Sequence, residues 1–220
     1  MTFFSYFQLA GLALFLAIVL QRAIMLRLRR RINPIQLGLD HAGLRRLVAA
    51  LLFLLVTVWA LEVVFYAIGR SARLFPYPCT LILIGGTPAR LAGVALTLIG
   101  FALFMAAMLR LGSSWRLGID ESTPGALVTD GVYALSRNPI YIFFDLYFVG
   151  AFLLNGALIF LLFAGAAAVL LHYQILQEEP FLSRQFGAAY ASYQARTARY
   201  ISLRPAWERL AAYRRRLAAP

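Results

Sequence analysis

The stretch "IYIFFDLYFVGAFLLNGALIFLLFAGAAAVLLHY", residues 140–173, is apolar almost throughout and longer than one membrane crossing requires. About 20 residues at 1.5 Å per residue span the roughly 30 Å of hydrocarbon in a bilayer. Asn155 and Gly156 stand in the middle of the block, and an Asn-Gly pair there is a turn signal. The block therefore reads as a hairpin of two membrane helices. Each arm is only about 16 residues, some 24 Å of helix, so both arms are expected to extend into the flanking residues.

The rest of the chain agrees with a membrane setting. Of its 220 residues 62% are hydrophobic and 14% charged, and the mean hydropathy is +0.75, values outside those of a water-soluble domain. Three further apolar runs, 3–25, 47–68 and 89–109, read as crossings, with "CTLILIGG" (79–86) as an apolar lead-in to the third that has no assigned place. The expected fold is an all-α integral membrane protein of about five transmembrane helices, with a hairpin of the fourth and fifth and a cytoplasmic C-terminal helical segment. Three regions are drawn: 1–110 as a three-helix membrane region, 111–203 as the part carrying the chemistry, and 204–220 as a basic amphipathic tail suited to anionic headgroups.

Arginine placement tests the number of crossings. All 21 basic residues are arginine, which makes the formal charge of +12 permanent. With five crossings, eighteen of them fall on one side, and with four the last eight would change sides. The positive-inside rule then puts the N-terminus outside and the arginine-rich face in the cytoplasm. The charge needs no nucleic acid to explain it, and none is expected as a partner. The positive cluster follows the first apolar run, the reverse of a cleaved signal peptide, so that run is expected to stay as an anchor. Cys79 is the one cysteine and has no internal disulfide partner.

Polar chemistry is concentrated in "LVTDGVYALSRNPIYIFFD" (127–145) and "HYQILQEEPFLSRQFGAAYASYQARTARYI" (172–201), which the hairpin brings to one membrane face. At helical spacing Asn138, Tyr141 and Asp145 share a face, His172 and Glu179 share another, and Gln174 and Glu178 a third about 100° from it. Only one of the two glutamates is expected to point straight at the fourth helix. Adjacent carboxylates at a membrane surface need cations, from arginine or from a ligand. Glu62, in the second apolar run, is an intramembrane carboxylate and so a functional candidate. His41 and His172 are isolated, and no metal site is expected.

"GVYALSRNPIY", then a hairpin, then "EEPFLSRQFGAAYASYQARTARYI" resembles the isoprenylcysteine carboxyl methyltransferase and phospholipid methyltransferase family, with "SWRLGI" (114–119) similar to the segment ahead of that family's cofactor loop. Asn138 stands where the family pattern has histidine, Phe143 where it has glycine, and Ala198 where it often has proline. The resemblance implies S-adenosyl-L-methionine as methyl donor and a lipophilic acceptor arriving laterally from the bilayer. It implies Arg137, Asn138, Tyr141 and Asp145 at the reacting centre. Cofactor binding would fall to Tyr133, Arg137, Asn138, Tyr141, His172, Gln174, Glu178, Glu179, Tyr190 and Arg199, with Tyr193 as a further ring. Isoprenylcysteine carboxyl O-methylation is the expected reaction. The alternatives are N-methylation of an ethanolamine phospholipid, methylation of a small thiol, or a non-catalytic membrane binding role. The expected setting is a bacterial inner membrane with the site facing the cytoplasm, lipids as the surroundings, and no obligate protein partner.

Overall fold

The computed structural model describes residues 2–30, 43–69, 74–112 and 125–201. Among the described residues there are five α-helices: α1 (Phe3–Arg30), α2 (Leu44–Ile68), α3 (Thr87–Leu111), α4 (Pro139–Asn155) and α5 (Leu158–Arg196). Four of them, α1, α2, α3 and α5, are long and apolar enough to cross a membrane, and α4 is a shorter apolar helix. The chain is thus an all-α integral membrane protein. Among the described residues the one trace of β-structure is an isolated bridge between Ile82 and Ala157.

Packing runs α1 to α2, α2 to α5, α5 to α4 and α4 to α3, while α1 touches α3 only lightly. The α3–α4 contact is the most extensive, and small residues explain why. Gly93, Thr97 and Gly100 are spaced by four and three residues and share one face of α3. A Cβ on Gly93 would stand 2.7 Å from the Gly150 carbonyl of α4, and one on Gly150 would stand 2.5 Å from Thr97 Oγ1. The two backbones approach this closely only because those Cβ atoms are missing, a recurrent device where no hydrophobic effect drives helices together. The space among the helices is filled by rings, with Phe143 stacked on Phe104 (centroids 4.6 Å) and Trp59 tilted against Phe148 (4.7 Å).

The hairpin turns at Gly156, whose φ of +72° ends α4. "CTLILIGG", unplaced from sequence, pairs with this turn. Leu83 N–H donates to Gly156 O at 2.8 Å, while Leu158 and Ile159 N–H donate to the Leu81 and Cys79 carbonyls, each at 2.8 Å. A side chain at Gly156 would overlap the Ile84 carbonyl. At the same end Asn155 Nδ2 donates to Gln8 Oε1 at 2.6 Å, joining the hairpin to α1. Glu62 is fully buried in α2 and accepts the Leu74 N–H at 3.1 Å. It lies close to the end of α2, so one of its tasks is to hold the chain as it leaves that helix.

Of the two hairpin arms only α5 outgrows its apolar block. At about 58 Å it is nearly twice the bilayer's hydrocarbon thickness, so the residues from about 178 onward project beyond it. Pro180 is accommodated within the helix, and the bend comes at Gly187, with φ +50°. At the face opposite the hairpin tip, the Arg22 guanidinium donates to the Gly112 carbonyl at the end of α3, and Arg110 pairs with Asp130 at 2.9 Å. His41, "SWRLGI" and the basic tail 204–220 lie outside the described residues.

Candidate active site

The site is assembled from three pieces that meet at the face opposite the hairpin tip: the loop entering α4, the projecting part of α5, and the segment 197–201 that follows it. The loop closes in a short 3-10 turn, Gly131–Ala134. Pro139 then opens α4, where its missing N–H leaves no bond unmade. Asn138 precedes it, yet its side chain makes no capping bond to the helix. Its Nδ2 instead donates to the Arg199 carbonyl at 3.0 Å. Ser136 accepts the Asn138 N–H at 2.9 Å and donates its hydroxyl to the same Arg199 carbonyl at 3.3 Å. A backbone bond from Arg137 N–H to Ala198 O at 3.1 Å completes this strap.

With 197–201 tied down, charge is paired in a definite pattern. Glu179 accepts two bonds from Arg199, from Nε at 2.9 Å and from Nη2 at 2.7 Å, a bidentate fork. Arg137 Nη1 lies 3.1 Å from the same carboxylate and donates to the Tyr190 hydroxyl at 3.4 Å. The Arg199 bonds, aided by Arg137 and opposed by burial, hold the Glu179 carboxyl below its ordinary value of 4.5. Glu178 faces the other way, toward α4. It accepts the Tyr141 hydroxyl at 2.5 Å and the Gln174 amide at 3.3 Å. Burial pushes its carboxyl above 4.5 in spite of those two bonds.

The expectation that one glutamate addresses the fourth helix is met by Glu178, and Glu179 addresses the loop ahead of that helix. Tyr190 and Tyr193 are 2% and 3% exposed, and Tyr193 donates to the Tyr133 carbonyl at 2.6 Å, so the three aromatic candidates form one wall. His172 Nδ1 lies 2.7 Å from the Tyr200 hydroxyl with the rings stacked. The sequence-derived site residues other than Asp145 thus enter three bonded groups: Arg137, Asn138, Glu179, Tyr190 and Arg199 with Tyr193 and Tyr133 joined through Ser136; Tyr141, Gln174 and Glu178; and His172 with Tyr200. Asp145 makes no pair with Arg137. Its Oδ1 is buried without a hydrogen-bond partner, and its charge is among the causes that raise the Tyr200 phenol, after burial.

Two residues of the network were not among the candidates. Ser136 is 3% exposed, and its signal was a hydroxyl two residues ahead of a helix-starting Asn-Pro. Tyr200 completes the histidine contact, and its signal was the Arg-Tyr pair at the end of the second polar stretch. Two nitrogens, Arg137 Nε and Gln177 Nε2, are buried with no bonding partner. Among the described residues, no group of three or more His, Cys, Asp or Glu side chains is placed to hold a metal ion.

A bundle of apolar helices with charged pairs gathered at one end defines a membrane protein with a polar site at its surface. Residues 88–189, from the start of α3 into the bent part of α5, match the family model of the phospholipid methyltransferases, the group that the two polar stretches resemble. The match reaches further toward the N-terminus than the motifs themselves and indicates a membrane methyltransferase. No curated protein matches the chain.

Proposed function

We propose that the protein is an S-adenosyl-L-methionine-dependent methyltransferase of lipophilic acceptors, with its site facing the cytoplasm. The observation that carries this reading is the Arg137–Glu179–Arg199 triad, in which two guanidiniums share one carboxylate while Arg137 Nε, buried, has no acceptor. An excess positive charge with an unused N–H calls for an anionic group. Next to it, Glu178 and Gln174 offer acceptors to an ammonium. A ligand bearing a carboxylate and an ammonium on one carbon suits both, and the donor's amino-acid end has that form.

The donor set fits the cofactor. Arg137 and Arg199 would hold its carboxylate, Glu178 and Glu179 its ammonium or ribose hydroxyls, and Tyr133, Tyr190 and Tyr193 would wall its ring. S-adenosyl-L-methionine supplies, when bound, a methyl group on a positively charged sulfur. The chain's own contribution is to orient the acceptor and exclude water, and no protein nucleophile is needed. Tyr141, fixed by Glu178, and Asn138, fixed by the Arg199 carbonyl, would line the approach. The region 111–203 is the proposed catalytic part, backed by the three helices of 1–110.

Of the acceptor classes, carboxyl O-methylation of an isoprenylcysteine and N-methylation of a phospholipid amine would share these cofactor residues. Asp145 Oδ1, buried and without a donor, favours the amine, because a lipid ammonium would bond to it and a lipid carboxylate would be repelled. Asp145 would take the proton that an ammonium must lose before its nitrogen acts as a nucleophile.

The test is calorimetric titration of the detergent-purified protein with S-adenosyl-L-methionine and S-adenosyl-L-homocysteine, using NADPH as control. Binding of both adenosyl compounds, lost in Arg137→Ala, is expected. Failure of either to bind defeats the cofactor reading. Transfer of labelled methyl to phosphatidylethanolamine, set against a farnesylcysteine analogue, then decides the acceptor class.

A further inference from the structure

A second polar site lies inside the membrane, toward the hairpin tip and away from the charged network. A small cavity is lined by Gln8 and Gly11 of α1, Trp59 of α2, Thr97 of α3 and Tyr147 of α4, with apolar side chains completing it and no charged residue among them. Trp59, Thr97, Tyr147 and Gln8 are 2%, 1%, 5% and 7% exposed. Four polar side chains from four helices therefore converge on one space. Gln8 is engaged with Asn155. Trp59 Nε1 and Thr97 Oγ1 are buried with no hydrogen-bond partner at all.

Thr97 lies ten residues into α3, about 15 Å from its start and so near mid-membrane. No bulk water reaches that depth, and an unmet indole N–H or hydroxyl there is strongly unfavourable. Two such groups beside one cavity point to a missing partner. The indole can only donate, and the threonine hydroxyl both donates and accepts. One hydroxyl oxygen satisfies both, accepting from Trp59 and exchanging a bond with Thr97. The space holds a single water-sized group, too little for a phosphate or an ester. The uncharged lining excludes an ion.

The cavity lies between α1 and α3, whose mutual contact is the light one in the bundle, and Gly11 lines it from α1 without a side chain. The Tyr147 hydroxyl lies 3.5 Å from where a Gly11 Cβ would stand.

We propose that this cavity, formed by Trp59, Thr97 and Tyr147 behind the α1–α3 seam, is a binding site for one neutral hydroxyl group, brought by a lipid alcohol whose chain leaves through the seam or by a single trapped water.

The test compares thermal unfolding of Thr97→Ser and Thr97→Ala in the full-length protein, with and without 1-tetradecanol, and with tetradecane as the chain-only control. Serine and alanine differ at this position by the hydroxyl alone, so the comparison stands even though both lose the threonine methyl. In a filled site the serine variant melts about 2–4 °C above the alanine variant. If tetradecanol, but not tetradecane, raises the melting point of wild type and Thr97→Ser by a similar amount and leaves Thr97→Ala and Trp59→Phe unmoved, the source is a lipid alcohol. If tetradecanol does nothing while the serine–alanine difference persists, the source is water. An alanine variant as stable as the serine variant, with no response to the alcohol, shows the cavity to be dry and overturns the proposal.

Discussion

Tyr141 of α4 donates its phenolic proton to Glu178 of α5 at 2.5 Å. This bond joins the two arms of the hairpin where they leave the membrane. It also takes one of two adjacent carboxylates out of reach of the arginines, so that Glu178 and Glu179 serve different partners. Tyr141→Phe leaves Glu178 with the Gln174 amide as its remaining side-chain donor among the described residues. The affinity for S-adenosyl-L-homocysteine should fall roughly tenfold, as expected for a hydrogen bond to a charged group. Calorimetry reads this directly, and an unchanged affinity would separate Glu178 from cofactor binding.

Glu179 gives a pH dependence of known sign. Its folded-state carboxyl sits below 4.5, so its contribution to stability is complete above that value and is lost as pH falls through the lower, folded value. Glu178, raised by burial, works in the opposite sense and favours the fold as it gains a proton. Urea unfolding of wild type and Glu179→Gln at a series of pH values should therefore show a difference that is largest near pH 6 and shrinks below pH 4.5. With Glu179 14% and Arg199 34% exposed at the side chain, the difference at its largest should be about 1 kcal/mol, near the value for partly solvated pairs.

Asn138 holds the strap, and its replacement should loosen it. Asn138→Ala removes the bond to the Arg199 carbonyl and should reduce stability by about 1 kcal/mol while raising proteolytic cleavage near Thr197. Asn138→His introduces the histidine of the pattern that this stretch resembles and retains ring N–H donors. It should protect the strap better than alanine does, as limited trypsin digestion at Arg199 would report.

Glycine at the hairpin turn is required by both conformation and space. Gly156→Ala meets a φ of +72° and the Ile84 carbonyl together, and it should lower the melting temperature by more than about 5 °C, the effect of more than 1–2 kcal/mol in a chain of this size. Gly150→Ala tests the α3–α4 contact and should be comparably harmful, because its methyl group would press on Thr97 Oγ1.

Much of this architecture is legible in the sequence because the bilayer imposes it. Run length and arginine placement locate the crossings, and Asn155-Gly156 marks the hairpin turn. Periodicity put Gln174 with Glu178 on a common face, and the two side chains are hydrogen-bonded. Hydropathy reports depth and carries no information on pairing, so it could not say that 79–84 lies along the turn at Gly156. The return of 197–201 onto Ser136 and Asn138 was equally hidden. It rests on backbone carbonyls, which every residue possesses, and on a bend at Gly187 that no spacing rule fixes. Asp145 illustrates the same limit, since its place in the fourth helix was evident while the burial of its Oδ1 without a hydrogen-bond partner was not.

The pairing of 79–84 with the hairpin tip has a mechanical consequence. It clamps α4 and α5 at the far end from the charged network, with Gln8 and Asn155 adding a second fastening there. The helix pair is then a lever with a fixed fulcrum and an arm of about 25 Å. A tilt of only about 5° between the arms shifts their free ends by roughly 2 Å, enough to stretch the Tyr141–Glu178 bond past breaking. Small rotations in the membrane are thereby converted into opening at the surface, and the loop on the opposite side sets the pivot.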